Sequence, residues 1–324
     1  MTGASSLPFC PAWIDLRHPG ASFCVGTITS HTEVTHVRIR LSASQIASAD
    51  NCRRLHWYQS VRKARVAALA ANLAFGHCVD AVTREYLRAL TLGLALPDPV
   101  IDFRRRWSEK TSTEVLVFSA TQSPETFERM GIDLLRALPE SWDATGFEVA
   151  LTANGDPMLD LRLSRDLGCE SGIELTLDGV IDVVVYTDRG DLGVIDVKSS
   201  AVIHTSLYAV RSDQLTSYQT LVEGNADSLG LPPLRKLGFW DFLKRKASSR
   251  VEKPLLVPTR RPQELAEFRQ KCFWIAEDIL RKRFPKASRL QFNTPCELCD
   301  FAQHCVYGDE DGLVFPASVT QKTA

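Results

Sequence analysis

The spacing of apolar residues changes character along this chain, and the changes divide it into elements. Leu69, Leu73, Phe75, Val79, Val82, Tyr86, Leu87 and Leu90 fall at helical spacing. They belong to an Ala- and Leu-rich stretch predicted helical from Ser42 to about residue 94, with serine as N-cap and Pro97 and Pro99 beyond its end. Residues 100–145 continue helical but more polar, and Ser123-Pro124-Glu125 supplies an N-cap with proline at the first helical position. The period then falls to two. Residues 147–151, 159–163 and 173–177 read as strands, with Asn154-Gly155-Asp156 as a turn. Two β-branched runs, 178–186 and 193–200, are separated by a polar turn and predict a hairpin. A helix over 207–222, strands or their flanks over 237–246 and 251–257, and an amphipathic helix over 263–283 complete the body. Residues 23–28 and 34–41 are β-like, which predicts a small β appendage over residues 1–40 ahead of a main domain over 41–310. Residues 311–324 read as a flexible polar tail.

The hairpin carries charge where its neighbours are Val and Ile. Asp182 interrupts the first strand; Asp196 and Lys198, two apart on the second, share a face. A surface ion pair would explain a lone Asp-x-Lys. Strands that read as buried on both faces shift the balance toward a site, because buried charge is costly unless a cation or substrate uses it. Mg²⁺ and Mn²⁺ take hard oxygen ligands; Asp182 and Asp196 offer carboxylates and Val197 a backbone carbonyl. Lys198 beside such an ion is placed to handle an attacking water or a developing anion. Gln214 and Tyr218, four apart, share one face of the next helix.

Composition adds limits. The chain has 324 residues, 44% hydrophobic and 24% charged, with a net charge of −1, ordinary for a globular protein. No apolar run reaches the length of a membrane-spanning helix, and the first residues lack a signal-peptide pattern. Nine cysteines without a secretion signal point to a cytoplasmic protein that keeps them reduced, and a cluster among them to metal. Cys296, Cys299 and Cys305 form Cys-x2-Cys-x5-Cys. Cys52 is the natural fourth thiolate, with His304 able to replace one; spacing alone does not separate an iron–sulfur cluster from Zn²⁺. Basic residues cluster in three places: Arg53, Arg54, Arg62, Lys63 and Arg65 near Cys52, Lys244, Arg245, Lys246, Arg250 and Lys253 after the core, and Arg281, Lys282 and Arg283 near the trio. Phosphate contacts by such groups and base stacking on Trp57, Tyr58 and Trp107 would suit a single DNA strand. No phosphate-binding Gly-x-x-x-x-Gly-Lys-Ser/Thr loop is present, so any motor is a partner.

The motifs Phe75-Gly76-His77, Gly179-Val-Ile-Asp182, Asp196-Val-Lys198 and Gln214-Leu-Thr-Ser-Tyr218 occur in the order seen in the RecB-like branch of the PD-(D/E)XK nucleases, which this chain resembles. The first departs from the family's Gly-x-x-x-His form, since Gly76 directly precedes His77. The resemblance implies an α/β, restriction-endonuclease-like core with a central mixed sheet flanked by helices. It further implies His77, Asp182 and Asp196 as ligands of Mg²⁺ or Mn²⁺, Lys198 as the catalytic lysine, and Gln214 and Tyr218 as its support. One upstream cysteine and a C-terminal trio resemble the iron–sulfur subgroup, which includes CRISPR-adaptation exonucleases and AddB-type nuclease domains. That implies a [4Fe–4S] cluster on Cys52, Cys296, Cys299 and Cys305, with Zn²⁺ as the alternative. The expected activity is a DNA exonuclease on single-stranded ends, partnered by a helicase or a recombination or adaptation protein. A DNA-end-binding or assembly subunit with an idle site is the competing expectation, which retention of both aspartates and Lys198 disfavours.

Overall fold

The computed structural model describes residues 37–245, 248–287 and 295–316. Its centre is a mixed sheet of eight strands: β1 (Val37–Ser42), β5 (Glu148–Val149), β6 (Leu159–Glu170), β7 (Ile173–Tyr186), β8 (Leu192–Ser200), β9 (Leu234–Leu243), β10 (Arg250–Val251) and β11 (Leu255–Pro258). The intervening short strands β2 (Arg65–Val66), β3 (Leu69–Ala70) and β4 (Leu116–Val117), with β12 (Leu313–Val314), form two separate ladders, β2 with β12 and β3 with β4. β7 is the axis of the main sheet. It pairs antiparallel with β6, β5 and β8 and parallel with β1, while β8 runs parallel to β9. The two runs expected as separate strands, 173–177 and 178–186, are one continuous strand.

Helices cover both faces. On one side lie α1 (Ala43–Asn51), α7 (Asp213–Leu229) and α8 (Pro262–Leu280). Their Ile46, Leu215, Leu221, Phe268 and Phe273 pack on Leu175, Leu177, Val184, Val194 and Phe239. On the other side lie α3 (Ala71–Thr91), α4 (Pro99–Thr113) and α5 (Pro124–Asp143). Their Phe75, Phe103, Phe127 and Leu135 pack on Val183, Val185, Ile195, Trp240 and Phe242. Strands of Val and Ile read as near-continuous apolar runs because both faces are covered this way. Ser42 and Ser123 cap α1 and α5 as the sequence predicts, Ser42 through a reciprocal capping box with Gln45.

Three expectations change. The helix expected over residues 42–94 is broken. After α1 come α2 (Arg53–His56), a π-helical turn (Trp57–Val61) and the extended strands β2 and β3, and only then α3. The Arg-rich segment therefore reverses direction beside the C-terminal cysteines instead of continuing as a rod. The helix expected over 207–222 is also two helices, α6 (Ser206–Arg211) and α7, because the Ser212 side chain caps Leu215 N–H and starts a new helix. Third, β1 belongs to the central sheet, so the main fold begins by residue 37 and not at 41. The rest of the expected appendage lies outside the described residues, as do residues 317–324 of the expected tail, whose residues 313–314 pair with β2.

Gly179 brings α7 close to β7: a Cβ there would sit 2.5 Å from Leu221 Cδ1, and Leu221 is fully buried. Gly179→Ala is expected to destabilise the protein by about 1–3 kcal/mol through overpacking. Leu221→Ala in the same chain should recover part of that loss, a non-additivity read from urea unfolding of both single variants and the double.

Candidate active site

The site lies where strand pairing fails. One edge of β7 is paired with β6 through Val183. Its other edge meets β1 over Ile173 to Asp178 and β8 over Val183 to Tyr186, so residues 179–182 have no ladder partner there. The strands part just below Val183–Ile195, and the Asp182 side chain enters the fork. Its Oδ2 accepts the Val197 N–H at 3.0 Å, taking the place of a backbone acceptor. An unpaired buried N–H would be costly, so this bond fixes Asp182 beside the next acid on β8, Asp196.

Asp196 is fully buried. Its Oδ1 accepts from Gln214 Nε2 at 2.6 Å and from the Tyr218 hydroxyl at 2.9 Å, and that hydroxyl also lies 3.3 Å from Asp182 Oδ1. Gln214 Nε2 is 3.1 Å from the Tyr218 oxygen as well. One turn of α7 thus reaches both carboxylates, as the four-residue spacing requires. Lys198 Nζ is 2.7 Å from Asp196 Oδ2, an ion pair; that oxygen has no well-directed hydrogen bond among the described residues.

The opposite wall comes from α3. Asp80, which the sequence reading passed over, is half-buried and electrostatically coupled to Asp182, Asp196 and Lys198. It lies four residues after Gly76, the position that Gly-x-x-x-His assigns to the histidine; the spacing was the usable signal, hidden by the change of residue type. Its Oδ2 pairs with Arg84 at 3.0 Å, while Oδ1 is buried without a donor. His77 borders the same cavity but is exposed, and burial, Lys110, Glu114 and Arg84 shape its titration, none of the three acids among them. Burial and the nearby Lys110 and Arg84 push it below the usual imidazole value. The cavity, about 290 Å³, is lined by Gly76, His77, Asp80, Asp182, Asp196, Val197, Lys198, Ser199 and Gln214 among others. Glu148 sits exposed on β5 opposite Tyr186 and does not border the cavity.

Burial and crowding in the fork hold Asp182 toward its protonated form. Burial, then Asp196 and Asp80, raise the Asp182 pKa to about 8. Burial also raises Asp80 and, with the two aspartates, pushes the Tyr218 phenol well above its usual value. For Lys198 burial works downward, but the attraction of Asp196 and Asp182 prevails and the ammonium is held above its ordinary pKa. A donor-free carboxylate oxygen on Asp80, an Asp196 oxygen met only by the Lys198 ammonium, and a carboxyl held toward its protonated form by burial and its neighbours are what a cation with hard oxygen ligands would relieve. The donor chemistry fits Mg²⁺ or Mn²⁺. No three His, Cys, Asp or Glu among the described residues already converge as a ligand set.

At the far end of α1, Cys52, Cys299 and Cys305 lie near one apolar cluster. Burial raises the Cys299 pKa, followed by smaller contributions that include the charges of Cys52 and Cys296. Cys299 and Cys305 pack against Tyr58, Ala64 and Phe301. These thiols are free, and no ready metal set forms among them in the described residues. Cys78 and Cys272 are buried thiols pushed up to about 11 and about 12 by burial; Cys10 and Cys24 lie outside the described residues. Two expectations about DNA contacts are corrected. Trp107 is buried in the α3–α5 core, and Tyr58 is buried with its ring stacked 5.0 Å from Phe301, so neither offers a face to a base. Much of the basic cluster is already neutralised: Arg53 by Asp278, Arg62 by Glu310, and Arg283 by Asp278.

The pH dependence has a definite sign. A carboxyl whose folded pKa is raised from 3.8 toward 8 makes the folded state bind more protons than the unfolded one. Stability of the cation-free protein therefore falls as pH rises between these values. Asp182→Asn is expected to flatten that slope and raise Tm at pH 8 by roughly 3–6 °C. Thermal melts of both proteins across this range, in chelator, check it; a constant Tm difference at every pH would contradict it.

Comparison with known proteins agrees with the sequence order. A family profile described as the PD-(D/E)XK nuclease superfamily matches residues 40–306. No curated protein sequence matches. Among solved structures, a candidate exonuclease from Eubacterium rectale is 11% identical over 82% of this chain and 87% of its own, with a TM-score of 0.47. The protein SSO0001 is 12% identical over 84% of this chain and 89% of its own, at 0.38. Likeness at that level carries nothing about activity. The profile spans the fork, the acids, Lys198 and the Gln214–Tyr218 turn, and on that match the chain belongs to the PD-(D/E)XK nuclease superfamily.

Proposed function

We propose that the protein is a divalent-metal-dependent deoxyribonuclease, an exonuclease acting on single-stranded ends. The observation that carries the hydrolytic reading is the grouping of Asp80, Asp182, Asp196 and Lys198 around one cavity, with Tyr218 and Gln214 holding Asp196. Asp182, Asp196 and Asp80 would hold the ion, with Asp80 in place of His77, and the Val197 carbonyl offers a further oxygen. A bound divalent cation supplies an acidified water and offsets charge on the phosphoryl oxygens. The chain's own residues do the rest. The Val197 N–H and the Tyr218 hydroxyl hold Asp182 and Asp196 in one orientation, so little reorganisation is needed when substrate enters. Lys198, kept protonated by Asp196, faces the cavity as a fixed cation for the charge that builds on the phosphorus oxygens. A protonated lysine acts there as an electrostatic partner and proton donor to the leaving oxygen, not as the base.

The cysteines are read as a staple. Cys52 follows α1, and the trio lies more than two hundred residues later, so a [4Fe–4S] cluster on Cys52, Cys296, Cys299 and Cys305 would close a loop of chain around the nuclease body. Thiolate coordination of iron or zinc adds directly to folding free energy. The influence of Cys52 and Cys296 on the Cys299 thiol and the packing of Cys299 and Cys305 against one apolar cluster support this reading. Zn²⁺ is the competing occupant. A motor or an adaptation or recombination protein would supply the single strand. Among the described residues no helix is long and apolar enough to cross a membrane.

Cleavage of end-labelled single-stranded DNA with Mg²⁺ or Mn²⁺ is the test. Lys198→Ala and Asp196→Asn are expected to lower the rate by roughly 10²–10³, and blocking one end should protect the strand. Cleavage that survives Lys198→Ala contradicts the mechanism. Anaerobically purified protein should be brown and lose its visible absorbance in Cys299→Ser; colourless, zinc-loaded protein would assign the staple to Zn²⁺.

A further inference from the structure

Among the described residues Lys244 has no counter-ion. It follows the last residue of β9, and its backbone N–H donates to Ser200 O at 2.8 Å, which ties it to the end of β8. Its ammonium stands 5.6 Å from the centroid of the Phe75 ring, within the range of a cation–π contact. It forms no ion pair with any described carboxylate, and burial pushes its pKa down to about 8 with no acid to offset it. The other cations bordering this region are spoken for: Lys198 by Asp196, Arg84 by Asp80 and Lys110 by Glu114.

A second group beside it is equally unsatisfied. Ser199 Oγ is buried and has no hydrogen-bond partner among the described residues. It lines the acid cavity, and a Cβ added to Gly76 would lie 3.5 Å from it. Lys244 therefore rests on Phe75 and Ser199 on Gly76, adjacent residues of α3, of which Gly76 lines the cavity together with Ser199. A half-buried ammonium and a buried hydroxyl, both lacking acceptors, would cost free energy in a finished interior. A monoanion with two acceptor oxygens satisfies both at once, through a charge-assisted hydrogen bond and a neutral one.

We propose that Lys244 and Ser199 form a subsite for the DNA phosphate next to the scissile one. This rests on the nuclease reading above and adds a position along the strand to it. The site would grip substrate on the α3 side of β8, opposite the face that carries Lys198 and Tyr218. The fork would then hold the reacting phosphate between a cation that acts on it and a cation that positions its neighbour.

Binding of a fluorescent single-stranded oligonucleotide, titrated against salt in chelator, tests this with the full-length protein, Lys244→Met, Lys244→Arg and Ser199→Ala. Lys244→Met is expected to weaken binding about 5- to 20-fold, the cost of one charge-assisted phosphate contact. It should also reduce the slope of log affinity on log salt by about 0.7, the counterion equivalent of one single-strand phosphate. Lys244→Arg should keep the slope, and Ser199→Ala should weaken binding without changing it. A single methylphosphonate walked along the oligonucleotide should weaken binding at one position beside the scissile bond, and that position should become silent in Lys244→Met. An unchanged salt slope and an unchanged methylphosphonate profile in a folded Lys244→Met protein would overturn the subsite and leave the nuclease reading standing. If the unaltered protein neither binds nor cleaves DNA, both fall together.

Discussion

The hydrogen bond from Val197 N–H to Asp182 Oδ2 organises the site. It exists because β7 changes partner along one edge, from β1 to β8, and the change leaves four residues without a ladder. A backbone donor exposed by that change must be satisfied. The chain satisfies it with a carboxylate, and in doing so brings two acids together in a buried fork. Everything nearby answers the resulting charge. Tyr218 and Gln214 donate to Asp196, Lys198 pairs with it, and Arg84 pairs with Asp80 on the facing helix. A fold that separates its two strands at this point needs the surrounding sheet to stay rigid, which the two helical layers packed on Val183, Val184, Ile195 and Phe239 provide.

Much of this was legible as sequence. Val and Ile runs interrupted by acids announced strands covered on both faces and a site at the interruption. The spacing of Gln214 and Tyr218 announced a helix turn facing it. What was not legible depended on tertiary geometry. The helix pattern over residues 42–94 ignored the reversal between α2 and α3, because alanine-rich segments satisfy a helical period whether or not the chain turns. The strand at residue 37 looked detached because β7, its partner among the described residues, lies more than a hundred residues downstream. Asp80 went unseen because a polar residue among apolar ones on a helix reads as an ordinary interruption, whereas its coupling to Asp182 and Asp196 exists only in the folded chain. His77, next to the glycine that marks the motif, borders the same cavity but is exposed, while Asp80 one turn on is the residue coupled to the two acids.

The same distinction applies to charge. A run of arginines near Cys52 suggests a binding surface in sequence, yet folding pairs two of them, Arg53 with Asp278 and Arg62 with Glu310. Lys244 shows the reverse: one member of a basic run after the core, it ends half-buried on an aromatic ring with no described acid to meet it. Counting charges along the chain says little about which remain available. The fold decides that by pairing most of them, and the unpaired remainder marks where an outside anion belongs.

The central claim is that Asp80, Asp182 and Asp196 together make one divalent-cation site in the fork. Titration of Mn²⁺ into the metal-free protein by calorimetry, with Asp80→Asn, Asp196→Asn and His77→Ala as variants, tests it most directly. The expected result is binding that releases a proton near pH 7, weakened at least tenfold, about 1.4 kcal/mol or more, by either aspartate substitution and preserved in His77→Ala. Binding that survives Asp80→Asn but disappears in His77→Ala would contradict it.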